Sequence, residues 1–280
     1  MTSGIEVQAY GLPLTALVRL ELRKRVPAAA ITEFPEQMKP RSKSSVLVAG
    51  ATSIILDPLV SPSDIRRASL ALIAKEAAKR SMLLVHGVAV EYNGLAVLLI
   101  GPHAAGKTTV SLELKARGWR VLAGDTVILS RKGEILAGSR AILIRKDDFG
   151  PPSLQVEAEN LSFAPDRWEL EECEGGPYQG VKIVAIADLQ IGPKFKAETI
   201  PYHEAATRLF EAAQRIFDRS KKNLSPATQK GIGALDKGVI GELTGAISLS
   251  CDGVRCLGDP GLIADALHGL AYKTSSMYSI

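Results

Sequence analysis

The chain has 280 residues, 46% of them hydrophobic and 5% aromatic, with a formal net charge of +4 at pH 7. This apolar fraction excludes global disorder, and the small aromatic share leaves Ala, Val, Ile and Leu to build the core. The scattered basic excess suits an anionic ligand such as a nucleotide and does not indicate a nucleic-acid-binding surface. No apolar run reaches the ~20 residues of a membrane span. Three cysteines and no recognisable N-terminal leader predict a reducing, cytoplasmic location.

Residues 1–60 predict a small β-rich part at the N-terminus. Leu14–Leu22 is its best strand candidate, and Val46–Leu56 has the composition of a strand broken by Gly50. A polar, proline-containing connection lies between these two apolar segments. Residues 61–280 are expected to form a second, larger domain.

A helix and then a hairpin are predicted at the start of the larger domain. Asp64–Arg80 has near-helical apolar spacing and a basic C-terminus. His86–Tyr92 and Leu95–Ile100 are both typical of strands, and Asn93-Gly94 separates them. An Asn-Gly pair between apolar runs is the strongest short-range hairpin signal, because both turn residues must accept positive φ. The strand Leu95–Ile100 is therefore expected to run antiparallel to the one before it.

A glycine-containing motif follows this strand directly. Gly101–Thr108 matches G-x-x-x-x-G-K-[ST] in full, and the predicted helix Thr109–Arg117 follows it, closed by Gly118. In a P-loop of this kind main-chain N–H groups and the helix N-terminus face the phosphates, the lysine reaches the β- and γ-phosphates, and the hydroxyl ligates magnesium. The alternative is a glycine-bearing turn without function. The expected nucleotide contacts are Gly101, His103, Ala104, Ala105, Gly106, Lys107, Thr108 and Thr109, with His103 contributing no specific side-chain role.

Two aspartates are candidates for the catalytic carboxylate. Asp125 follows a buried strand, Trp119–Ala123, that is expected to run beside the strand leading into the P-loop. Its carboxylate would face the γ-phosphate and take a proton from an attacking hydroxyl, or it would merely cap a turn. Asp188 ends the apolar run Ile183–Ala187 and would hold magnesium in an ordinary parallel-sheet P-loop enzyme. Because the predicted hairpin departs from that parallel order, we expect Asp125 to be the catalytic carboxylate.

The rest of the chain alternates strand and helix patterns. Strands are expected at Ile142–Arg145 and Val181–Leu189, helices at His203–Phe217 and Pro260–Tyr272, the latter capped by Asp259, and a mobile polar loop at residues 218–233. Cys251 and Cys256 have C-x4-C spacing but lack a second pair of ligands at zinc-site spacing.

Together these motifs resemble HPr kinase/phosphorylase and, more distantly, ATP-dependent phosphoenolpyruvate carboxykinase. The resemblance covers residues 81–130 and is carried by His86-Gly87-Val88, Asn93-Gly94, Gly101–Thr108 and Leu114–Asp125. It implies an α/β fold with a mixed β-sheet and a central P-loop, so that residues 61–280 would be the P-loop kinase domain. It also implies ATP and Mg2+ as cofactors and phosphoryl transfer to a hydroxyl.

The resemblance implies roles for single residues. Lys107 and Thr108 would bind phosphate and metal, and Asp125 would be both the base and a metal ligand. His86 falls on a family histidine near the active centre, with a structural histidine at a strand start as the alternative. Gly124 stands where the family has the first of two acids, so proton abstraction would rest on Asp125 alone. The downstream glycine-rich segment of the bifunctional HPr enzymes is not recognisable, which puts phosphorylase activity and an HPr substrate in doubt.

The phosphoryl acceptor is a further expectation. The resemblance extends to archaeal-type enzymes that phosphorylate free L-serine with ATP, and a small-molecule kinase acting on L-serine is the favoured function. Candidates to bind the serine carboxylate are Arg140, Arg145 and Lys146, unless they form a solvated strand end. The alternatives are an HPr-type protein-serine kinase and a nucleotide-binding regulatory protein without catalysis. No nucleic-acid or membrane partner is expected, and a homo-oligomer is compatible with the sequence.

Overall fold

The computed structural model describes residues 6–8, 15–19, 45–49, 52–56, 62–139, 141–145, 159–161, 164–171, 178–221 and 226–277. Near the N-terminus four strands form an antiparallel sheet in chain order: β1 Glu6–Gln8, β2 Thr15–Arg19, β3 Ser45–Ala49 and β4 Thr52–Leu56. The predicted strand Val46–Leu56 is therefore two paired strands. That residues 1–60 fold as a separate part stays a prediction.

The later strands belong to two sheets. They are β5 Met82–His86, β6 Val88–Tyr92, β7 Leu95–Ile100, β8 Arg120–Ala123, β9 Thr126–Ser130, β10 Glu134–Gly138, β11 Ala141–Arg145, β12 Glu159–Leu161, β13 Ala164–Glu171, β14 Val181–Ile191, β15 Lys196–Ile200 and β16 Asp252–Gly258. A three-stranded sheet contains β11, β13 and β12 in that order, and the other nine described strands form one large sheet.

The large sheet is mixed, with parallel strands at its centre. β14 runs parallel to β7 on one side and to β16 on the other. β6 is antiparallel to β7, and β8 is antiparallel to β6. The C-terminal ends of β7, β8, β14 and β16 consequently reach the same edge of the sheet. The predicted α/β class with a mixed sheet is confirmed.

The predicted hairpin between β6 and β7 is also confirmed. Val88 lies opposite Leu99 and Tyr92 opposite Leu95 in an antiparallel register. Asn93-Gly94 forms the turn with φ values of +52° and +81°. Positive φ at both positions is the conformation that this pair of residues tolerates best.

Helices cover both faces of the large sheet. They are α1 Pro62–Lys79, α2 Lys107–Ala116, α3 Tyr202–Lys221, α4 Pro226–Ile232, α5 Lys237–Ser248 and α6 Pro260–Met277. α2 and α6 pack on one face, where Val110 and Leu267 belong to the same buried cluster as Leu99 of β7. On the other face α1, α3 and α5 join a second core that includes Leu98 and Ile100 of β7. None of the helices in the described segments is long and apolar enough to cross a membrane.

The predicted strand His86–Tyr92 is wrong in one respect, because it divides at Gly87. β5 ends at His86 and pairs with β9, whereas β6 begins at Val88 and pairs with β7. A Cβ atom at Gly87 would lie only 2.7 Å from the main-chain oxygen of Leu99. This close approach requires glycine at position 87. His86 precedes Gly87 and therefore lies at the edge of the sheet where β7 ends.

The predicted mobile loop at residues 218–233 is wrong for the part of it that the structure describes. α3 continues to Lys221, and α4 spans Pro226–Ile232. Ile232 is completely buried in the core beside α1. Tertiary packing of this kind outweighs a polar composition and weak local helix propensity.

Candidate active site

The loop between β7 and α2, residues 101–106, is called the glycine loop below. Three of its residues have a positive φ: Gly101 (+141°), Ala104 (+61°) and Gly106 (+81°). Gly106 is also the N-cap of α2 and offers no side chain to the first helical turn. An uncapped helix N-terminus behind a loop of this conformation suits an anion such as a phosphate group. The strand and helix predicted around the loop are confirmed.

Replacement of Gly101 by alanine is expected to destabilise the protein and to displace the glycine loop. A Cβ atom at Gly101 would lie 2.5 Å from the main-chain oxygen of Leu189 in β14. Gly118 is a matched control, because its φ is +85° and a Cβ atom there would meet nothing within 4 Å. We expect Gly101→Ala to lower the free energy of unfolding by about 2 kcal/mol more than Gly118→Ala in denaturant titrations. Equal losses would contradict the tight packing of the loop on β14.

Lys107 begins α2 and is buried although it carries a charge. Only 8% of the residue is exposed. Its Nζ donates hydrogen bonds to the main-chain oxygens of Gly101, at 3.1 Å, and Pro102, at 2.9 Å. The ammonium group is thus held against the first two carbonyls of the glycine loop. Thr108 and Thr109 follow in the first turn of α2, and both are half-buried.

The structure brings His86 and Asp125 into direct contact. β5 and β9 pair so that His86 lies opposite Thr126, the residue after Asp125. His86 Nδ1 is 3.0 Å from the main-chain oxygen of Asp125 and 3.3 Å from its Oδ1. Because both oxygens are acceptors, Nδ1 carries the proton and donates. The main-chain N–H of Gly87 donates to the same carbonyl at 3.1 Å, so the position of Asp125 is fixed from two sides.

The expectation that the strand before Asp125 runs beside β7 is wrong. β8 pairs with β6, and β6 separates it from β7. With a strand spacing of about 4.8 Å, the backbones of β7 and β8 lie about 10 Å apart at the shared edge. Gly87 lies between the two strands. It is close to Leu99 of β7, and its main-chain N–H donates to the carbonyl of Asp125. Asp125 therefore lies across Gly87 from the glycine loop.

Asp188, the competing acid, occupies the strand beside β7. It lies opposite Ile100 of β7 on one side and Arg255 of β16 on the other. Only 5% of Asp188 is exposed, and its Oδ2 is 3.4 Å from Nε of Arg208 on α3. Burial raises the pKa of the Asp188 carboxyl, and the nearby charges of Arg208 and Arg255 offset only part of this effect.

A raised pKa at Asp188 predicts a pH dependence of stability. The folded protein binds this proton more tightly than the unfolded chain, so the favourable contribution exists at low pH and disappears as pH rises from about 4 through the raised pKa. Asp188→Asn removes this titration. Relative to the parent protein, the variant should therefore gain thermal stability as pH is raised from about 4 to about 7. Melting curves of both proteins over this range would contradict the assignment if their separation stayed constant.

Two arginines of α3 reach the same edge, and sequence reasoning did not single them out. Arg208 approaches Asp188, and Nη1 of Arg215 donates a 2.9 Å hydrogen bond to the main-chain oxygen of Gly101. Their spacing of seven residues places both on one face of a helix, which is the signal that could have paired them. The acceptor-binding candidates Arg140, Arg145 and Lys146 have side chains that lie outside the described residues.

Comparison with known proteins gives local similarity to HPr kinase/phosphorylases. The chain is 45% identical over 49 residues to the HPr kinase/phosphorylase of Chlorobium phaeobacteroides and 47% identical over 49 residues to that of Prosthecochloris aestuarii, in each case over 18% of this chain and 14% of the relative. HPr kinase/phosphorylase 1 of Oceanobacillus iheyensis is 31% identical over 132 residues, which are 44% of this chain and 40% of that protein. No family model matches the chain.

These alignments span less than half the length of the relatives. They show local similarity to proteins named HPr kinase/phosphorylase and leave the acceptor of this chain unassigned. In sequence the chain is similar to HPr kinase/phosphorylases.

Proposed function

We propose that this protein is a Mg-dependent kinase that transfers the γ-phosphoryl group of ATP to a hydroxyl group. The proposal rests on one juxtaposition: the glycine loop with its buried Lys107 and the contacting pair His86–Asp125 lie at one edge of the sheet. A phosphate-binding loop and a carboxylate across from it are the two parts that phosphoryl transfer to a hydroxyl requires. The local similarity to HPr kinase/phosphorylases supports the same reaction class.

Each residue has a distinct role in this proposal. The amides of the glycine loop and of the first turn of α2 would bind the phosphates, with Lys107 neutralising the β- and γ-phosphates. Thr108 and Asp125 would hold the magnesium ion, which supplies charge neutralisation at the transferring group. Asp125 would also accept the proton of the acceptor hydroxyl, and His86 would orient that carboxylate through its Nδ1–H group.

The acceptor that we propose first is a small hydroxyl compound, with free L-serine as the leading candidate. Its conversion to O-phosphoserine forms the bond between the serine Oγ and the γ-phosphorus, releases ADP, and leaves the hydroxyl proton on Asp125. A protein serine is the second candidate. It is favoured by the relatives, because the matched proteins carry the name HPr kinase/phosphorylase.

A coupled ADP-release assay distinguishes these acceptors. The protein with ATP and Mg2+ is supplied with free L-serine, with purified HPr, or with other hydroxyl metabolites in parallel. Turnover with L-serine alone supports the first candidate, and turnover with HPr alone transfers the proposal to a protein-serine kinase. Nucleotide binding without turnover on any hydroxyl would overturn the kinase proposal in favour of a non-catalytic nucleotide-binding protein.

A further inference from the structure

Helix α3 packs on one face of the large sheet and contacts β16, β14 and β7. Three of its residues, Glu204, Arg208 and Arg215, each contact one of these strands or the loop that follows it. Glu204 forms an ion pair with Arg255 of β16, and Arg208 forms one with Asp188 of β14. Arg215 reaches the first residue of the glycine loop, which continues β7. The polar face of one helix is thus joined to three adjacent parallel strands at the proposed site.

The last of these contacts is made to the loop itself. The main-chain oxygen of Gly101 accepts a hydrogen bond from Nη1 of Arg215 at 2.9 Å and another from Nζ of Lys107 at 3.1 Å. A carbonyl oxygen has two lone pairs, so it can accept both bonds at once. Two cations from distant parts of the chain therefore converge on one peptide group of the glycine loop.

This sharing matters when a phosphate group enters. Lys107 must turn its ammonium group from the loop carbonyls toward the anion, and the carbonyl of Gly101 would then lose one of its donors. Gly101 is fully enclosed on the side of β14, where a Cβ atom would lie 2.5 Å from the main-chain oxygen of Leu189. Leaving a buried carbonyl without a donor is unfavourable. A second donor that stays in place removes this cost.

We propose that Arg215 is a positioning residue that holds the first peptide group of the glycine loop, so that Lys107 is released to bind phosphate. This inference rests on the proposed nucleotide-binding function and assigns to α3 a part in it. Arg215 acts through Gly101 and the loop conformation. The planar guanidinium group suits this role, because its N–H groups have fixed directions and its charge persists at every physiological pH.

The test compares Arg215→Met and Arg215→Lys with a matched arginine variant. Methionine keeps most of the apolar contact of the side chain but has no donor, whereas lysine retains a charged donor. Arg117→Met is the control, because Arg117 is also half-buried and donates to a main-chain oxygen, that of Glu113, at the opposite end of α2. Two quantities are measured: the dissociation constant for ADP with Mg2+, and the hydrogen exchange of the glycine-loop amides without any ligand.

We expect Arg215→Met to raise the dissociation constant for ADP about 10-fold, as loss of a hydrogen bond to a charged group predicts. Exchange should become faster at the amides of residue 101 and residues 103–106, including the amide of Ala105, which donates to the main-chain oxygen of Pro102 within the loop. Arg215→Lys should restore most of the affinity and the protection. Arg117→Met should leave both quantities at the values of the parent protein.

The remaining outcomes separate the positioning role from its alternatives. Weaker ADP binding with unchanged loop exchange would mean that Arg215 contributes only charge, and the positioning role would be overturned. Unchanged binding and unchanged exchange would overturn it as well while leaving the proposed function intact. If the parent protein does not bind ADP, the proposed function fails, and the exchange measurement alone still decides whether Arg215 orders the loop.

Discussion

Asp125→Asn is expected to lower kcat for phosphoryl transfer by about 10²-fold or more, because the variant removes the proposed base. Asparagine has the same shape as aspartate and keeps an oxygen that can accept from Nδ1 of His86, now 3.3 Å from Oδ1 of Asp125. The fold and the glycine loop should therefore persist. The measurement is a steady-state ADP-release assay with the acceptor that the parent protein uses, accompanied by a titration with ADP.

The matched control for this variant is Asp265→Asn. Asp265 lies on α6, and 62% of its side chain is exposed where it pairs with Arg117. This control removes the same charge from the protein without touching the proposed site, so its kcat should equal that of the parent protein. An unchanged kcat in Asp125→Asn would transfer the role of the base to Asp188 or His86.

Lys107→Ala is expected to weaken nucleotide binding and to lower kcat by about 10²–10³-fold, because it removes a preorganised positive charge from the transferring phosphates. Nζ of Lys107 lies over the glycine loop, bound to Gly101 and Pro102. Without this ammonium group the loop retains its amides, and a reduced affinity for ADP should remain. Binding is measured by ADP titration and turnover by the coupled assay.

Lys115→Ala is the control for the lysine variant. Lys115 lies on the same helix eight residues later, about 12 Å along the helix axis from Lys107. It carries the same charge, and its replacement should leave both binding and kcat unchanged. Equal affinity and equal activity in Lys107→Ala and the parent protein would contradict the assignment of Lys107 to the transferring phosphates.

Local sequence signals predicted the parts of the site that lie close together along the chain. The Asn93-Gly94 turn, the strand and helix around the glycine loop, and the cap at Asp259 all depend on neighbours within a few residues. Asp259 does accept from the amides of Gly261 and Leu262 at the start of α6. Such features follow from backbone preferences and short side-chain hydrogen bonds, which the sequence states directly.

Longer-range pairings were predicted less well, and two examples show why. The strand before Asp125 was expected beside β7, but β6 lies between them, and it is Asp188 on β14 that adjoins Ile100. Residues 218–221 and 226–232 were expected in a loop, but they are helical, and Ile232 is buried in the core. Composition describes a segment alone, whereas strand order and burial depend on what packs against it.

The sequence by itself determined the glycine loop, the hairpin that feeds it and the candidate residues Lys107, Asp125 and His86. Only the tertiary structure decided that His86 contacts Asp125 and that Asp188 pairs with Ile100 on the neighbouring strand. It also decided that Arg215 donates a hydrogen bond to Gly101, which is 114 residues away in the sequence. The physical reason is the range of the interactions. Turns and caps are set by adjacent residues, while sheet order and helix docking are set by burial of apolar surface contributed by the whole fold.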